Sequence, residues 1–228
     1  MRYVLILIIL LMSVIGFGQN RHLTIGYQNN GLCFGNSMSN NGLRFNFIDK
    51  NVKIINGVNI TCISNSLNIN GFSLGLVSNN DVSVNGFLIS GLSGESKIIN
   101  GLVLSGLGHI AHKLNGVGVG GLAICGDTLN GLFISPIGIS WWNTQKIKLI
   151  NGFTIGVFIG ANTEELNGIS IGFLHNVIDE LNGVGIALIN RSKELHGFQF
   201  GLWNVAENNK TFKRMPIMNL NLKRKTSR

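Results

Sequence analysis

Apolar and polar residues alternate along this chain around a recurring Asn-Gly dipeptide. The steps between successive glycines are mostly 14 to 16 residues, with a first step of 11 and one step of 21. A fixed short period is typical of repeat proteins, in which one structural unit stacks on the next. The repeat glycines are Gly31, Gly42, Gly57, Gly71, Gly86, Gly101, Gly116, Gly131, Gly152, Gly168 and Gly183, and His196-Gly197 adds a twelfth repeat with His in place of Asn.

With each repeat numbered from its glycine as position 0, apolar residues fill positions −2, +1, +3 and +6. Position +4 is small or short and polar, and position +2 is variable. Alternation with a period of two predicts a short strand after each glycine. We expect positions −2, +1, +3 and +6 to point into a shared core and position +2 to point outward. Leu88, Val103 and Phe133 would then form an exposed apolar stripe in the +2 column.

Asn-Gly is also a strong signal for a two-residue β-hairpin, so an antiparallel meander is the first alternative. In such a hairpin, position −4 would share a face with position +3. Position +3 is apolar throughout, whereas position −4 carries charged residues such as Lys53, Lys97, Glu164 and Lys193. Hairpin pairing would therefore place charges in the core, and the pattern favours parallel coils.

The sequence predicts a single all-β domain, a β-solenoid of about eleven short coils with roughly 15 residues each. Each Asn would lie above the Asn of the preceding coil, so that the stacked amides form hydrogen bonds along the axis. A solenoid needs capped ends, because a terminal coil exposes unpaired strand edges. We expect residues 19–30 and 211–218 to provide the caps. The solenoid domain would span residues 19–209, followed by a basic C-terminal cap or tail at 210–228.

The net charge of +8 is concentrated outside the repeats. Eight of the 18 basic residues lie at Arg2 or within the last 19 positions, which leaves ten basic and ten acidic residues between positions 19 and 209. The repeat region is therefore neutral, and a nucleic-acid partner is not expected. Arg2 and the apolar run 4–15, followed by small residues, predict a cleaved signal peptide at residues 1–18 and no membrane span in the mature chain.

The segments Leu166-Asn167-Gly168-Ile169 and Leu181-Asn182-Gly183-Val184, with the residues that follow them, resemble the LNG-x-x-IG-LIN repeats of uncharacterised secreted bacterial surface-repeat proteins. The resemblance covers most of the chain after residue 18. It implies export and surface display, and it brings no catalytic residues. Location in the periplasm, on the outer-membrane surface or outside the cell is the corresponding expectation.

Acidic residues recur at positions −4 and −3 of three successive repeats. Stacked coils would hold like charges about one strand spacing apart, where they repel. A bound divalent cation such as Ca²⁺ would relieve this repulsion, and so would splayed, solvated side chains helped by Lys193. These candidate metal ligands are Glu164, Glu165, Asp179, Glu180 and Glu194.

The 21-residue step carries an insertion that contains Trp141 and Trp142. Tandem Trp residues on a loop can stack on a sugar or a protein partner, or can fold back over the apolar stripe. His109 and His112 have no evident third ligand, and we expect both to be solvent-exposed loop residues. Cys33, Cys62 and Cys125 are expected to be small buried side chains, although one disulfide stays possible.

No convergent set of acids and bases is evident in the repeats, so an enzyme is not expected. The sequence indicates a non-catalytic exported structural, adhesion or interaction protein of the bacterial cell envelope or surface. The alternative is a β-helix protein that binds or degrades polysaccharide, since the acidic residues could act on a glycan.

Overall fold

The computed structural model describes residues 22–139 and 146–223, apart from the side chain of Asp81. These residues form an all-β stack of coils. The predicted β-solenoid of about eleven turns, with about 15 residues per turn, is confirmed. The strands are β1 (His22–Tyr27), β2 (Asn30–Gly35), β3 (Ser39–Phe45), β4 (Val52–Ile60), β5 (Ile63–Ser105), β6 (Gly108–Gly120), β7 (Ala123–Ser135), β8 (Gly138–Ile139), β9 (Ile147–Gly156), β10 (Ile159–Gly172), β11 (His175–Ile186), β12 (Ile189–Ala206) and β13 (Arg214–Asn221).

Successive coils pair in parallel, with the repeat glycines in register. Gly42 lies beside Gly31 and Gly57, Gly116 lies beside Gly101 and Gly131, and the same pairing continues to Gly197. The long strand β5 winds through three repeats before it ends. The parallel register contradicts the hairpin meander and places equivalent positions of all repeats in columns along the axis.

The two ends of the solenoid are closed by antiparallel strands. Strand β1 pairs with β2, and β13 pairs with β12. These strands lie where the sequence predicts caps, although the C-terminal one begins at Arg214 and continues to Asn221. Pro216 in β13 lacks an N–H group and so weakens the pairing capacity of that edge.

The direction of the side chains after each glycine differs from the prediction. Position −2 is buried, as expected: Ile55, Ile69, Leu114 and Leu166 are all fully inaccessible to solvent. Position +2, however, also points inward, and Leu88, Val103 and Phe133 are buried core residues rather than an exposed stripe. Positions +1, +3 and +6 point outward, as shown by Phe87, Leu74 and Leu107, which are 54, 37 and 49% exposed.

The reason for this reversal is that the strand continues through Asn-Gly without changing its alternation. Positions −2, +2 and +4 therefore share one side, and positions +1 and +3 share the other. The outward +1 and +3 columns form a flat surface that we call the apolar face. The +6 column borders it and faces outward because, as at Leu107 and Leu122, the chain bends after position +4 and the alternation is broken there.

The interior is apolar in the middle of the rod and more polar towards its ends. Leu88, Val103 and Phe133 fill the central +2 positions. The +2 positions nearer the ends hold polar side chains, all buried: Arg44, Asn59, Ser73, Thr154, Ser170 and Gln199. The variable +2 position of the sequence is thus the position that changes the character of the core.

The predicted asparagine ladder is present on the outside of the coils. Ten side-chain hydrogen bonds of 2.6–3.0 Å run from Asn41, which donates to Asn30, up to Asn182, which donates to Asn167. In each bond the Nδ2 of the later repeat donates to the Oδ1 of the earlier one. The ladder therefore ties the repeats from Gly31 to Gly183 to one another outside the core.

The substitution Asn100→Ala should remove two rungs of this ladder. Asn100 donates to Asn85 and accepts from Asn115, both at 2.7 Å. We expect a loss of about 1–2 kcal/mol in the free energy of unfolding, because net hydrogen-bond contributions are about 1 kcal/mol each. Urea unfolding followed by circular dichroism measures it. The control Lys97→Ala, on the exposed surface of the same coil, should change stability by less than about 0.5 kcal/mol. Equal effects of the two substitutions would contradict a stabilising ladder.

Candidate functional site

The acidic candidates lie where β9, β10, β11 and β12 run side by side. Glu165, Glu180 and Glu194 occupy the same register position in three successive coils, as predicted. They line an open groove of about 320 Å³ that also contains Glu164, Asp179, Lys148 and Lys193. The structure therefore brings all five sequence-predicted acidic residues together.

Much of the negative charge in this groove already has partners. Lys146 and Lys193 both form ion pairs with Asp179. Burial raises the pKa of the Asp179 carboxyl, but its hydrogen bonds and attraction to Lys146 and Lys193 outweigh this, so its pKa lies below the ordinary value. Asn167 donates to Glu165, and Asn182 donates to Glu180, each at 3.1 Å. Asparagines of the outer ladder thus stabilise the carboxylates of Glu165 and Glu180, and two lysines stabilise that of Asp179.

His196 joins the acidic cluster, although the sequence analysis did not include it. Glu180, Glu194 and His196 each offer one ligand atom, and these atoms lie within 4.8 Å of one another. The Nε2 of His196 is 3.7 Å from a Glu194 carboxylate oxygen. The sequence signal was the replacement of Asn by His at the last step of the ladder, where His196 pairs in register with Asn182.

The ligand atoms of Glu180, Glu194 and His196 bear on which cation this site would bind. Ca²⁺ prefers several oxygen ligands, whereas an imidazole nitrogen with carboxylates is typical of Zn²⁺ and related ions. The Ca²⁺ hypothesis for Glu164, Glu165, Asp179, Glu180 and Glu194 stays a prediction. If it is correct, calorimetry should record binding heat, and the melting temperature should rise with Ca²⁺. Glu180→Gln should remove both effects, and no heat above dilution in the unmodified protein would contradict the hypothesis.

Trp141 and Trp142, the candidate partner-binding residues, lie outside the described residues. The premise that the insertion covers an exposed +2 stripe is wrong, because Leu88, Val103 and Phe133 are already buried. A role of the two Trp residues in binding a partner stays a prediction.

The prediction that both histidines are exposed is wrong for His109. His112 is exposed and lies 2.8 Å from Asp127, whose pKa is lowered by this hydrogen bond and by nearby Lys148. His109 is buried, with Nδ1 3.3 Å from the hydroxyl of Ser105 and Nε2 3.2 Å from that of Ser96. His109 lies near the start of β6, where inward and outward positions also alternate, and it falls on the inward side.

His109 should make the protein less stable in mild acid. Burial lowers the pKa of His109 from 6.5 to about 4. The unfolded chain therefore takes up a proton at His109 at a higher pH than the folded chain does. The free energy of unfolding is at its full value above pH 6.5 and decreases as the pH falls towards 4. The loss should reach about 3 kcal/mol. Urea unfolding at several pH values measures it, and His109→Gln should remove this part of the slope. Identical slopes in both proteins would contradict the assignment.

The wall of a shallow cavity of about 300 Å³ also contains His109. The other lining residues include Leu107, Ile110, Leu122, Ala123 and Cys125. Both ring nitrogens of His109 face serines of the core, and Ser96 continues the polar chain to Asn80 and Ser66. This contact pattern gives His109 a structural role and does not supply an oriented base at the surface.

A second asparagine ladder lies inside the solenoid, and the sequence analysis missed it. Asn176 donates to Asn190 at 2.9 Å, and Asn190 donates to Asn204 at 2.8 Å. Ser170 donates to Asn176 at 2.8 Å. The 14-residue spacing of these asparagines was the available signal, but it falls outside the Asn-Gly motif. The buried amides of Asn176, Asn190 and Asn204 thus pair with one another along the axis, which satisfies them without water.

No disulfide joins Cys33, Cys62 and Cys125: Cys33 and Cys125 are buried and Cys62 is half-buried. Among residues 22–139 and 146–223 there is no helix that is long and apolar enough to cross a membrane. No protein-family model, curated protein or solved structure matches this chain.

Proposed function

We propose that this chain is an exported, non-catalytic structural or adhesion protein of the bacterial cell envelope or surface. The observation that carries this proposal is the apolar face. Its +1 and +3 columns hold an apolar side chain in every repeat, and several are well exposed, including Phe87, Leu74 and Ile186. A contiguous exposed apolar surface is typical of a site that contacts another protein or a membrane.

The arrangement of the polar groups supports the same proposal. The largest polar networks among the described residues lie inside the rod or along the outer ladder, where they join one coil to the next. Arg44 and His109, which could otherwise act on a substrate, are buried against partners in the core. The chemistry of these side chains is thus used to build a rigid rod. Export itself rests on the predicted signal peptide, which lies outside the described residues.

Protease shaving of intact cells tests the proposal directly. A surface-displayed rod should be cleaved or released by an added protease while a cytoplasmic marker stays intact. Protection in intact cells, followed by cleavage after the outer membrane is opened, would place the protein in the periplasm and still agree with envelope location. Protection in both conditions would contradict the proposal.

The acidic groove supports a second candidate, a protein that binds or degrades polysaccharide. Carboxylates of Glu164, Glu165, Glu180 and Glu194 line an open groove beside Lys148 and Lys193. Paired carboxylates are the groups that glycoside hydrolysis requires. A glycan array identifies bound sugars, and a turnover assay on the same polysaccharides separates a binder from an enzyme. Glu180→Gln, which keeps the size of the side chain, should abolish turnover if this candidate is correct.

A further inference from the structure

The cap strands extend the apolar face beyond the repeats. In β1, Ile25 pairs with Leu32 and Leu23 pairs with Phe34, which are the +1 and +3 residues of the first repeat. In β13, Leu220 pairs with Phe198 and Met218 pairs with Phe200, which are the +1 and +3 residues of the last repeat. Directly opposed residues in a sheet lie on the same side. Both columns therefore run from cap to cap without interruption.

The size of the apolar face matches what a stable dimer needs. Twelve repeat rows and two cap rows, spaced by about 4.8 Å, give a length of about 60 Å. The apolar face and the +6 column that borders it are together about 15 Å wide, so the combined apolar area is about 900 Å². A typical monomer has no apolar patch larger than about 300–600 Å², and a standard protein interface buries about 800 Å² on each partner.

Charge and spacing indicate which partner fits. The +1, +3 and +6 columns contain no charged residue, so two copies of this face do not repel each other. Beside the face, positions −4 and −3 mix Lys148 and Lys193 with Glu164 and Asp179, and such a border lacks the uniform positive charge that holds a protein on an anionic membrane. The rows of the apolar face repeat at the spacing between neighbouring strands. A second sheet of the same kind has this spacing along its whole length, so its rows match those of the face.

The described residues of this chain leave the apolar face exposed in several rows. The insertion at residues 140–145 leaves from Ile139 and returns at Lys146. Both lie outside the +1 and +3 columns. A partner as long as the rod would cover all fourteen rows.

We propose that two copies of this chain pack their apolar faces together in a symmetric dimer. The interface is isologous, so each +1 and +3 column meets the same columns of the second copy. This inference rests on the proposed function and names the partner of its interaction surface. The dimer would then have the two cores of its rods and a third apolar layer between them.

Sedimentation equilibrium of the protein recovered after export tests the dimer. We expect twice the monomer mass at concentrations of about 1 µM and above. The double variant Phe87→Lys/Ile169→Lys places charges in the interface at two exposed positions, 54 and 37% accessible in the single chain. Dimerisation should weaken at least about 100-fold, because unpaired charges would be buried.

The matched control is Ile98→Lys. Ile98 is 38% exposed, as Ile169 is, but it lies at position −3, beyond the asparagine ladder. This variant should keep the wild-type dimer. The circular dichroism spectrum of every variant checks that the solenoid is intact. If Phe87→Lys/Ile169→Lys unfolds, Phe87→Thr/Ile169→Thr repeats the test without charge and should still weaken the dimer.

Several outcomes would overturn the dimer. One is a wild-type monomer at all concentrations up to about 100 µM, well above the range expected for an interface of this area. A second is a monomer that floats with phosphatidylglycerol vesicles, which would assign the face to a lipid surface. A third is equal weakening by the control. None of them affects the protease-shaving result, so the failure of this inference is distinguishable from failure of the proposed envelope function.

Discussion

Gly116→Ala should lower the free energy of unfolding by roughly 4 kcal/mol. Gly116 has a φ of 134°, which side-chain-bearing residues rarely adopt. An added Cβ would also point directly against the backbone carbonyl oxygen of Gly101 in the preceding coil. A backbone atom cannot move aside as a side chain can, so the coils would have to separate or the strand would have to bend. Urea unfolding monitored by circular dichroism measures the loss.

Gly75→Ala is the matched control for this prediction. Gly75 is buried but has no positive φ, and its added Cβ would meet the Thr61 carbonyl oxygen at 3.3 Å, with the other nearest atoms at 3.4 Å. This is tight contact without a severe overlap, and we expect a loss of no more than about 1 kcal/mol. If Gly116→Ala and Gly75→Ala lower the free energy of unfolding equally, close approach of the coils does not explain why glycine recurs in the repeats.

Asp49→Ala should lower the free energy of unfolding by about 3–5 kcal/mol, because it leaves the buried charge of Arg44 without its carboxylate. Both side chains are fully buried, and the Arg44 Nη1 lies 2.7 Å from Asp49 Oδ1. Arg44 also donates to Asn59 at 2.9 Å and to Asn36 at 3.2 Å. The amide oxygens of Asn59 and Asn36 would still accept hydrogen bonds from the Arg44 guanidinium, but they do not neutralise its charge.

The double substitution Arg44→Met/Asp49→Leu should cost far less than the sum of Arg44→Met and Asp49→Leu. Removing both charges ends the need to bury either of them, so the pair should show a coupling of about 2–3 kcal/mol in a double-mutant cycle. Lys148→Ala is the control, because its 3.5 Å contact with Asp127 is solvent-exposed and should contribute less than about 1 kcal/mol. Additive effects at Arg44 and Asp49 would contradict the pairing.

These two predictions concern different parts of what specifies the fold. The glycine column sets how closely the coils approach, and it is readable from the sequence because glycine recurs at a fixed period. The Arg44–Asp49 pair is not readable in that way. Arg44 occupies the variable +2 position, and Asp49 follows it in the loop that leads to the next coil. Only the folded chain shows that both side chains turn into the interior.

The candidate site divides in a similar manner. The stacking of Glu165, Glu180 and Glu194 follows from the repeat period alone, and the parallel register confirms it. The contribution of Lys146 was not predictable, because it lies 33 residues before Asp179 and beyond the insertion. Glu194 and His196 are two residues apart in β12, so they share one side of the strand, whereas the approach of Glu180 to both depends on the parallel register.

The sequence by itself determined the period, the parallel stacking of about eleven coils, the outer asparagine ladder and the acidic column. These features follow because a repeat of constant length places equivalent residues above one another. Which side of the strand faces the core was decided by the tertiary structure. The sequence pattern does not show whether side chains keep alternating between the two sides of the strand as it passes through Asn-Gly. Since it does, the +2 residues fill the interior, and the regular +1 and +3 columns are left outside as the surface that a partner would cover.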